Sequence, residues 1–248
     1  MIRFVFCILI NILWAPLIIY VMHYKSVRPM EYSIEERYES ACFVVRLLKL
    51  TGGVRTKAYG LENLPTEGGY MMYPNHQGKY DALGIVNTHK KPCSLVMDKN
   101  KSNTILVKQF VDLLEGKRLD KQDRRQGFKI IQEITEEVKN GKKFILFPEG
   151  GYDNSKKNNL DEFKSGCFKI ALKSKTPIVP VTLVNSYKVF NSLNFLPVKT
   201  EVHYLTPIYY EEYKELKTSE IADLVKQRIQ EKLNELSEKN TKQILLEA

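Results

Sequence analysis

From Phe4 to Met22 the chain runs 19 residues without a charge. As a single helix rising 1.5 Å per residue, this stretch would reach about 28 Å, close to the hydrocarbon thickness of a bilayer. Asn11 and Pro16 are its only departures from apolar or aromatic-interface character, and Trp14 and Tyr20 are residue types that settle at membrane interfaces. A cleaved signal would need small residues at a cut site. Here the bulky Tyr20-Val-Met-His-Tyr24 is followed by Lys25 and Arg28, so the stretch reads as a retained anchor, whether it spans the bilayer or only dips into it. His23 falls at the expected interface. A second segment, Ser33 to Leu50, combines Ala41-Cys-Phe-Val-Val45 and Leu47-Leu48 with Glu35, Glu36, Arg37 and Arg46. It is too polar to span, and it suits lying on a membrane or packing against the first helix. Residues 1–50 are therefore expected to form membrane-anchoring helices ahead of a second unit, 51–248.

Beyond Thr51 short apolar runs alternate with longer amphipathic ones, punctuated by Gly, Pro and Asn. That is the pattern of an α/β domain, with a central mixed sheet flanked by helices. The predicted strands are Val54–Tyr59, Tyr70–Tyr73, Ser94–Met97, Phe144–Phe147, Ile178–Val184 and Glu201–Leu205. Two helices are predicted from apolar residues recurring every three or four positions. Phe128, Ile131, Ile134 and Val138 mark one over Arg124–Asn140, and Ile221, Leu224, Val225, Ile229 and Leu233 mark another over Ser219–Leu236.

Charge bears on the choice of partner. The chain holds 38 Lys plus Arg against 29 Asp plus Glu, and the excess is local: Val86–Lys129 has 11 basic against 5 acidic residues, whereas Glu211–Ala248 has 7 against 9. A positive field in mid-chain suits lipid headgroups, a phosphorylated substrate or an acidic protein. Nucleic acid is disfavoured, because no recognition motif is present and no aromatic residues interleave the basic run. Cys7, Cys42, Cys93 and Cys167 stand far apart with no C-x-x-C pair, which offers neither a zinc site nor a disulfide framework and fits a reducing, cytosol-facing compartment. The chain also lacks a phosphate-binding P-loop and a G-x-S-x-G elbow.

Two segments carry chemistry. Tyr73-Pro-Asn-His-Gln-Gly-Lys-Tyr-Asp81 follows a predicted strand, where α/β sheets place reactive loops. His76 and Asp81 would lie about 140° apart on an unbroken helix, so they meet only if the chain turns, and Gly78 permits a turn. A carboxylate on one ring nitrogen fixes the tautomer and leaves the other nitrogen as a general base. The second segment, Phe144-Ile-Leu-Phe-Pro-Glu-Gly-Gly151, places Glu149 and Gly150 at a strand end, where a carboxylate can accept hydrogen bonds from ligand hydroxyls. Each segment alone also reads as an ordinary loop.

Three blocks, Asn75-His-x-x-x-x-Asp81, Phe147-Pro-Glu-Gly150 and Thr176-Pro-Ile-Val-Pro-Val181, occur here in that order. Together they resemble those of the glycerolipid acyltransferase family. Gly60-Leu-Glu-Asn-Leu-Pro65 and Phe163-Lys-Ser-Gly166 support the resemblance, which runs from about Val54 to Leu205. It implies acyl transfer from a thioester, coenzyme A or acyl carrier protein, to the free hydroxyl of lysophosphatidate at a membrane phospholipid surface, giving phosphatidate. Glycerol 3-phosphate or another lysolipid is the alternative acceptor, and a non-catalytic membrane-tethered lipid-binding protein is the alternative class. The resemblance assigns His76 as base, Asp81 as its orienting carboxylate, and Glu149 and Gly150 to the glycerol portion, with no metal or cofactor. It implies a membrane-associated protein with its site on the cytoplasmic side. The family's phosphate-binding block is altered: Gly116-Lys-Arg-Leu-Asp-Lys-Gln-Asp-Arg-Arg125 has Lys121 where the family carries Arg. Lysine keeps the charge but loses the bidentate fork, so the phosphate ligand stays open among Arg118, Lys121, Arg124 and Arg125.

Overall fold

The sheet is assembled around a strand that is buried at every position. In the computed structural model, which describes residues 2–191 and 196–247, this strand is β2, Tyr70–Pro74. The others are β1 (Val54–Tyr59), β3 (Ser94–Asp98), β4 (Lys117–Leu119), β5 (Lys143–Ile145), β6 (Ile178–Val184) and β7 (Val198–Tyr204). They form one sheet in the order β1-β7-β6-β2-β5-β3-β4. Strands β2 to β6 run parallel; β7 pairs antiparallel with β6 and parallel with β1, which makes the sheet mixed.

Strand alternation divides the core into two layers. Tyr70 and Met72 face one layer, Met71 and Tyr73 the other. The first layer is built by α2 (Ala15–Ser26), α3 (Ile34–Thr51), α4 (Asp81–Thr88) and α6 (Val107–Leu113); α1 (Ile2–Asn11) precedes them and α5 (Lys99–Ser102) follows β3. The second is built by α7 (Arg124–Lys139), α8 (Lys169–Ser174) and α11 (Thr218–Glu247), with the single turn α10 (Tyr210–Tyr213) ahead of α11, whereas the single turn α9 (Lys188–Asn191) packs Val189 and Phe190 with Val54, Tyr80 and Val198 in a third, small cluster. Gly60 turns the chain after β1 at φ 73°, and a Cβ there would lie 2.1 Å from the Tyr204 carbonyl oxygen, so only glycine fits.

The structure changes three expectations. The uncharged run is two helices rather than one, with an 85° bend between Val5–Asn11 and Ala15–Ser26. Pro16 sits in the first turn of α2, where its missing N–H is harmless, and Asn11 Nδ2 bonds the Cys7 carbonyl (2.7 Å) and Thr51 Oγ1 (3.0 Å), anchoring the bend to the end of α3. Among the described residues no single helix is long and apolar enough to cross a membrane, and the bent pair meets that length only jointly. Second, the core continues across residue 50. Ser33 and Glu36 close a capping box on α3, whose Tyr38, Ala41, Cys42 and Val45 join Met22 and the strands in one cluster. Third, the basic block contains β4, a short edge strand whose lysine and arginine suit an unprotected edge.

Candidate active site

Five parallel strands point their carboxyl ends at one edge of the sheet, and the functional loops gather there. The loop after β2 is locked by side-chain amides. Asn75 Nδ2 donates to the Leu183 carbonyl (3.1 Å) while its Oδ1 accepts the Leu183 N–H (2.7 Å). Gln77 Nε2 donates to Leu183 O (2.9 Å) and Asn158 Oδ1 (2.8 Å), and its Oε1 accepts Ser186 N–H (3.1 Å) and Oγ–H (2.8 Å). Between these two amides sits His76.

The turn at Gly78 brings His76 Nδ1 within 2.7 Å of Asp81 Oδ2. Asp81 is wholly buried at the start of α4, and Oδ2 also accepts the N–H groups of Gln77 (2.5 Å) and Gly78 (2.8 Å). Three donors hold it as an acceptor, so Nδ1 carries the imidazole proton and Nε2 presents a lone pair. Among the described residues Nε2 has no partner. Phe147 stacks on the ring at 4.1 Å between centroids, and Tyr152 meets it edge-on at 4.6 Å. The imidazole is thus fixed in plane and tautomer, with one basic atom open.

Glu149 lies beside this pair in a more enclosed position than a ligand-facing carboxylate requires. Its Oε1 accepts the His76 N–H (2.7 Å) and its Oε2 the Asp161 N–H (3.2 Å). The carboxylate therefore joins the His76 loop to the segment that follows Gly150. Burial pushes the Glu149 carboxyl up to about 7, against the two amides that favour its charged form. Gly150 is at φ 72°, and a Cβ there would be 2.7 Å from Lys164 Nζ, so that ammonium rests directly on the glycine.

The four cations of the basic block divide. Arg118 is engaged by Asp112 (2.6 Å) on the α6 side. Lys121 donates to the Gly150 carbonyl (2.7 Å) and pairs with Asp98 (3.4 Å), which places it at the site. Asp98, despite desolvation that raises its pKa, is held low by the Lys101 amide and the Lys121 ammonium. Arg124 and Arg125 are exposed at the start of α7 and carry no side-chain partner among the described residues. Sequence reasoning passed over Tyr152, Lys101, whose Nζ lies 5.4 Å from the Tyr152 ring, and the locking amides of Gln77 and Asn158. Lys164 had a signal in the Phe163-Lys-Ser-Gly166 match. Of the remaining histidines, His89 is buried against the Tyr70 hydroxyl (2.6 Å) and the Lys91 carbonyl (2.5 Å), and burial lowers its pKa to about 4. His203 bonds Glu201 (2.8 Å) under a stacked Tyr59. Both have structural partners.

Comparison with known proteins bears on the family and the fold. The chain is 29% identical over 203 residues to the 1-acyl-sn-glycerol-3-phosphate acyltransferase of Saccharomyces cerevisiae, a match covering 79% of this chain and 65% of the yeast protein. It is 30% identical over 165 residues to the enzyme of the same name from Salmonella typhimurium, covering 65% of this chain and 66% of that one. The chain thus spans about two thirds of these relatives. The crystal structure of the 1-acyl-sn-glycerophosphate acyltransferase PlsC from Thermotoga maritima superposes with a TM-score of 0.74 over 95% of this chain and 94% of that one, at 19% identity, and so shares the fold. A family model described as Acyltransferase matches residues 55–184, which contain every block from β1 to the end of β6. On that match, the chain belongs to the acyltransferase family.

Proposed function

We propose that the chain transfers an acyl group from an acyl thioester to the free hydroxyl of lysophosphatidate, forming phosphatidate. The observation that carries this reading is the His76–Asp81 contact of 2.7 Å, with the opposite ring nitrogen open at the sheet edge. An alcohol is a poor nucleophile at neutral pH. His76 Nε2 takes the hydroxyl proton as the oxygen attacks the thioester carbonyl, and Asp81 stabilises the imidazolium that forms. When the tetrahedral intermediate collapses, the C–S bond breaks and the imidazolium returns the proton to the leaving thiolate. No enzyme-bound acyl group is required.

Glu149 serves this reaction by holding the His76 backbone through Oε1, and its remaining lone pairs and the second lone pair of the Gly150 carbonyl are open to the glycerol portion. Lys121 and Lys164, whose ammonium has no partner among the described residues, flank Gly150 and supply positive charge for the phosphate, and Arg124 extends that field from the start of α7. Arg118, already neutralised by Asp112, contributes least. The exposed apolar residues Leu9, Leu13, Trp14, Leu17 and Tyr20 form the surface that engages the membrane holding the acceptor.

The test offers the purified protein a labelled acyl thioester with lysophosphatidate, glycerol 3-phosphate or lysophosphatidylcholine and separates the lipid products. Labelled phosphatidate formed from lysophosphatidate at the highest kcat/KM is the expected result. Preference for another acceptor would reassign the substrate, and no product with any acceptor would leave a lipid-binding protein.

A further inference from the structure

The first half of α7 presents an arrangement of which the acceptor chemistry uses only Arg124. Phe128 is 55% exposed, although the other large apolar side chains of that helix turn toward the sheet. Arg124, Arg125 and Lys129 surround it along the helix, all exposed. Across the α7–α8 seam, Lys173 Nζ lies 5.3 Å from the Phe128 ring centroid, and Lys169 precedes it by one turn on the same exposed face of α8. None of these five cations has a carboxylate partner among the described residues. The acidic residues of α7 are spent elsewhere: Glu133 and Glu137 on Lys117, Glu137 also on Lys142, and Glu136 on Lys139. Asp123 caps the helix through the Arg125 and Gln126 amides. From Phe163 to Thr200 the chain has six lysines and no acidic residue. Two arginines in the first turn also oppose the helix dipole, so local stability does not account for them.

Topology decides what this surface can meet. α7 leads directly into β5 and α8 into β6, and those strands are parallel through β2, so the amino-terminal ends of both helices lie at the edge that holds His76. The two helices belong to the second layer, whereas the exposed apolar residues of α1 and α2 belong to the first. A bilayer resting on the first layer leaves α7 and α8 facing water. An exposed aromatic ringed by five cations on two helices has the extent of a protein footprint rather than of one phosphate, with an anchor at its centre and a charged rim.

We infer that the outer face of α7 and α8, centred on Phe128, docks an acidic carrier protein that bears the acyl thioester. The carrier delivers its acyl group over the sheet edge to His76 while the lysolipid arrives from the opposite layer. This rests on the thioester-dependent reading above and adds to it the donor and the route.

The test compares the wild-type chain with Phe128→Ala and with the Lys169→Glu/Lys173→Glu pair. Donors are palmitoyl-acyl carrier protein and palmitoyl-coenzyme A, with lysophosphatidate as acceptor in detergent micelles. Reversing two rim charges is expected to raise KM for the carrier donor about tenfold or more and to weaken its salt dependence, while kcat and KM with palmitoyl-coenzyme A change less than about twofold. Equal losses with both donors, or an unchanged KM for the carrier, would overturn the inference. So would loss of vesicle flotation by the charge-reversed pair, which would make a bilayer the occupant. Fluorescence anisotropy of labelled acyl carrier protein reads docking without turnover. If neither donor supports transfer, the proposed activity fails, and carrier binding that the variants abolish still upholds the surface; absent binding refutes it.

Discussion

At the scale of single residues, the proposed chemistry concentrates on one proton path, and its parts separate by mutation. His76→Ala removes the base and Asp81→Asn removes the carboxylate that fixes its tautomer, so each is expected to lower kcat by about 10²- to 10⁴-fold with little change in acceptor KM. Single-turnover acyl transfer at saturating lipid measures this, and a near-native rate for His76→Ala would remove the mechanism. Glu149 titrates in an unusual range. Its carboxyl is raised to about 7 from 4.5, so between those values the folded chain binds more protons than the unfolded chain, and stability falls as pH rises through that window. Glu149→Gln abolishes this titration. Melting temperatures of the two proteins between pH 4.5 and 8 should show the wild type losing ground to the variant as pH rises, by up to about 3 kcal/mol. A constant difference would contradict the raised carboxyl. The His76–Asp81 pair was legible in the sequence because both residues and the glycine that turns the chain lie within one motif. The clamps on Asn75 and Gln77 were not, since their partners Leu183 and Ser186 are 106 to 109 positions away and nothing local marks them.

At the scale of elements, period and length were legible wherever an element buries a face. β1 and β6 match their predicted bounds, and α7 ends within one residue of its prediction, because apolar positions at spacing two or near 3.6 leave a trace in the sequence. β4 left none, being three residues long and exposing a basic edge. The amino-terminal run misled in another way. Hydropathy reports composition, and a bend set by Asn11 and Pro16 changes geometry without changing composition. The result is a corner of exposed side chains, with Leu13 at 85% and Trp14 at 62% exposure. Placing charges there, as in Leu13→Asp/Leu17→Asp, should sharply reduce flotation with phospholipid vesicles, since each substitution removes about 1.5 to 3 kcal/mol of apolar transfer and introduces a charge. Activity on a micellar acceptor should persist. Met22, by contrast, is part of the core, so deleting the whole segment would disturb folding as well as the proposed membrane contact.

At the scale of the whole molecule, the proposed reaction would use the two layers on one sheet to keep its substrates apart until they meet at the edge, with lipid on the side of α1–α3 and thioester on the side of α7 and α8. The layered α/β plan was legible from the alternation of runs, but the strand order was not, because no local signal reports that the first strand lies beside the last. That pairing bears on how the chain is made. β1 joins the sheet only through β7, and Thr56 bonds Thr200 across 144 positions of chain. During synthesis at about 5 to 20 residues per second, β1 emerges and then waits on the order of ten to thirty seconds for its partner, with an unpaired edge and an apolar helix beside it. Chains truncated before Val198 should therefore aggregate or remain chaperone-bound in a coupled translation assay, whereas the full chain becomes protease-resistant only after β7 has left the ribosome. Soluble, protease-resistant product from the truncated chain would show that β1 folds without it. The last strand made thus acts as a completion signal, and a ribosome stalled late in the message leaves a nascent chain whose first strand cannot join its own sheet.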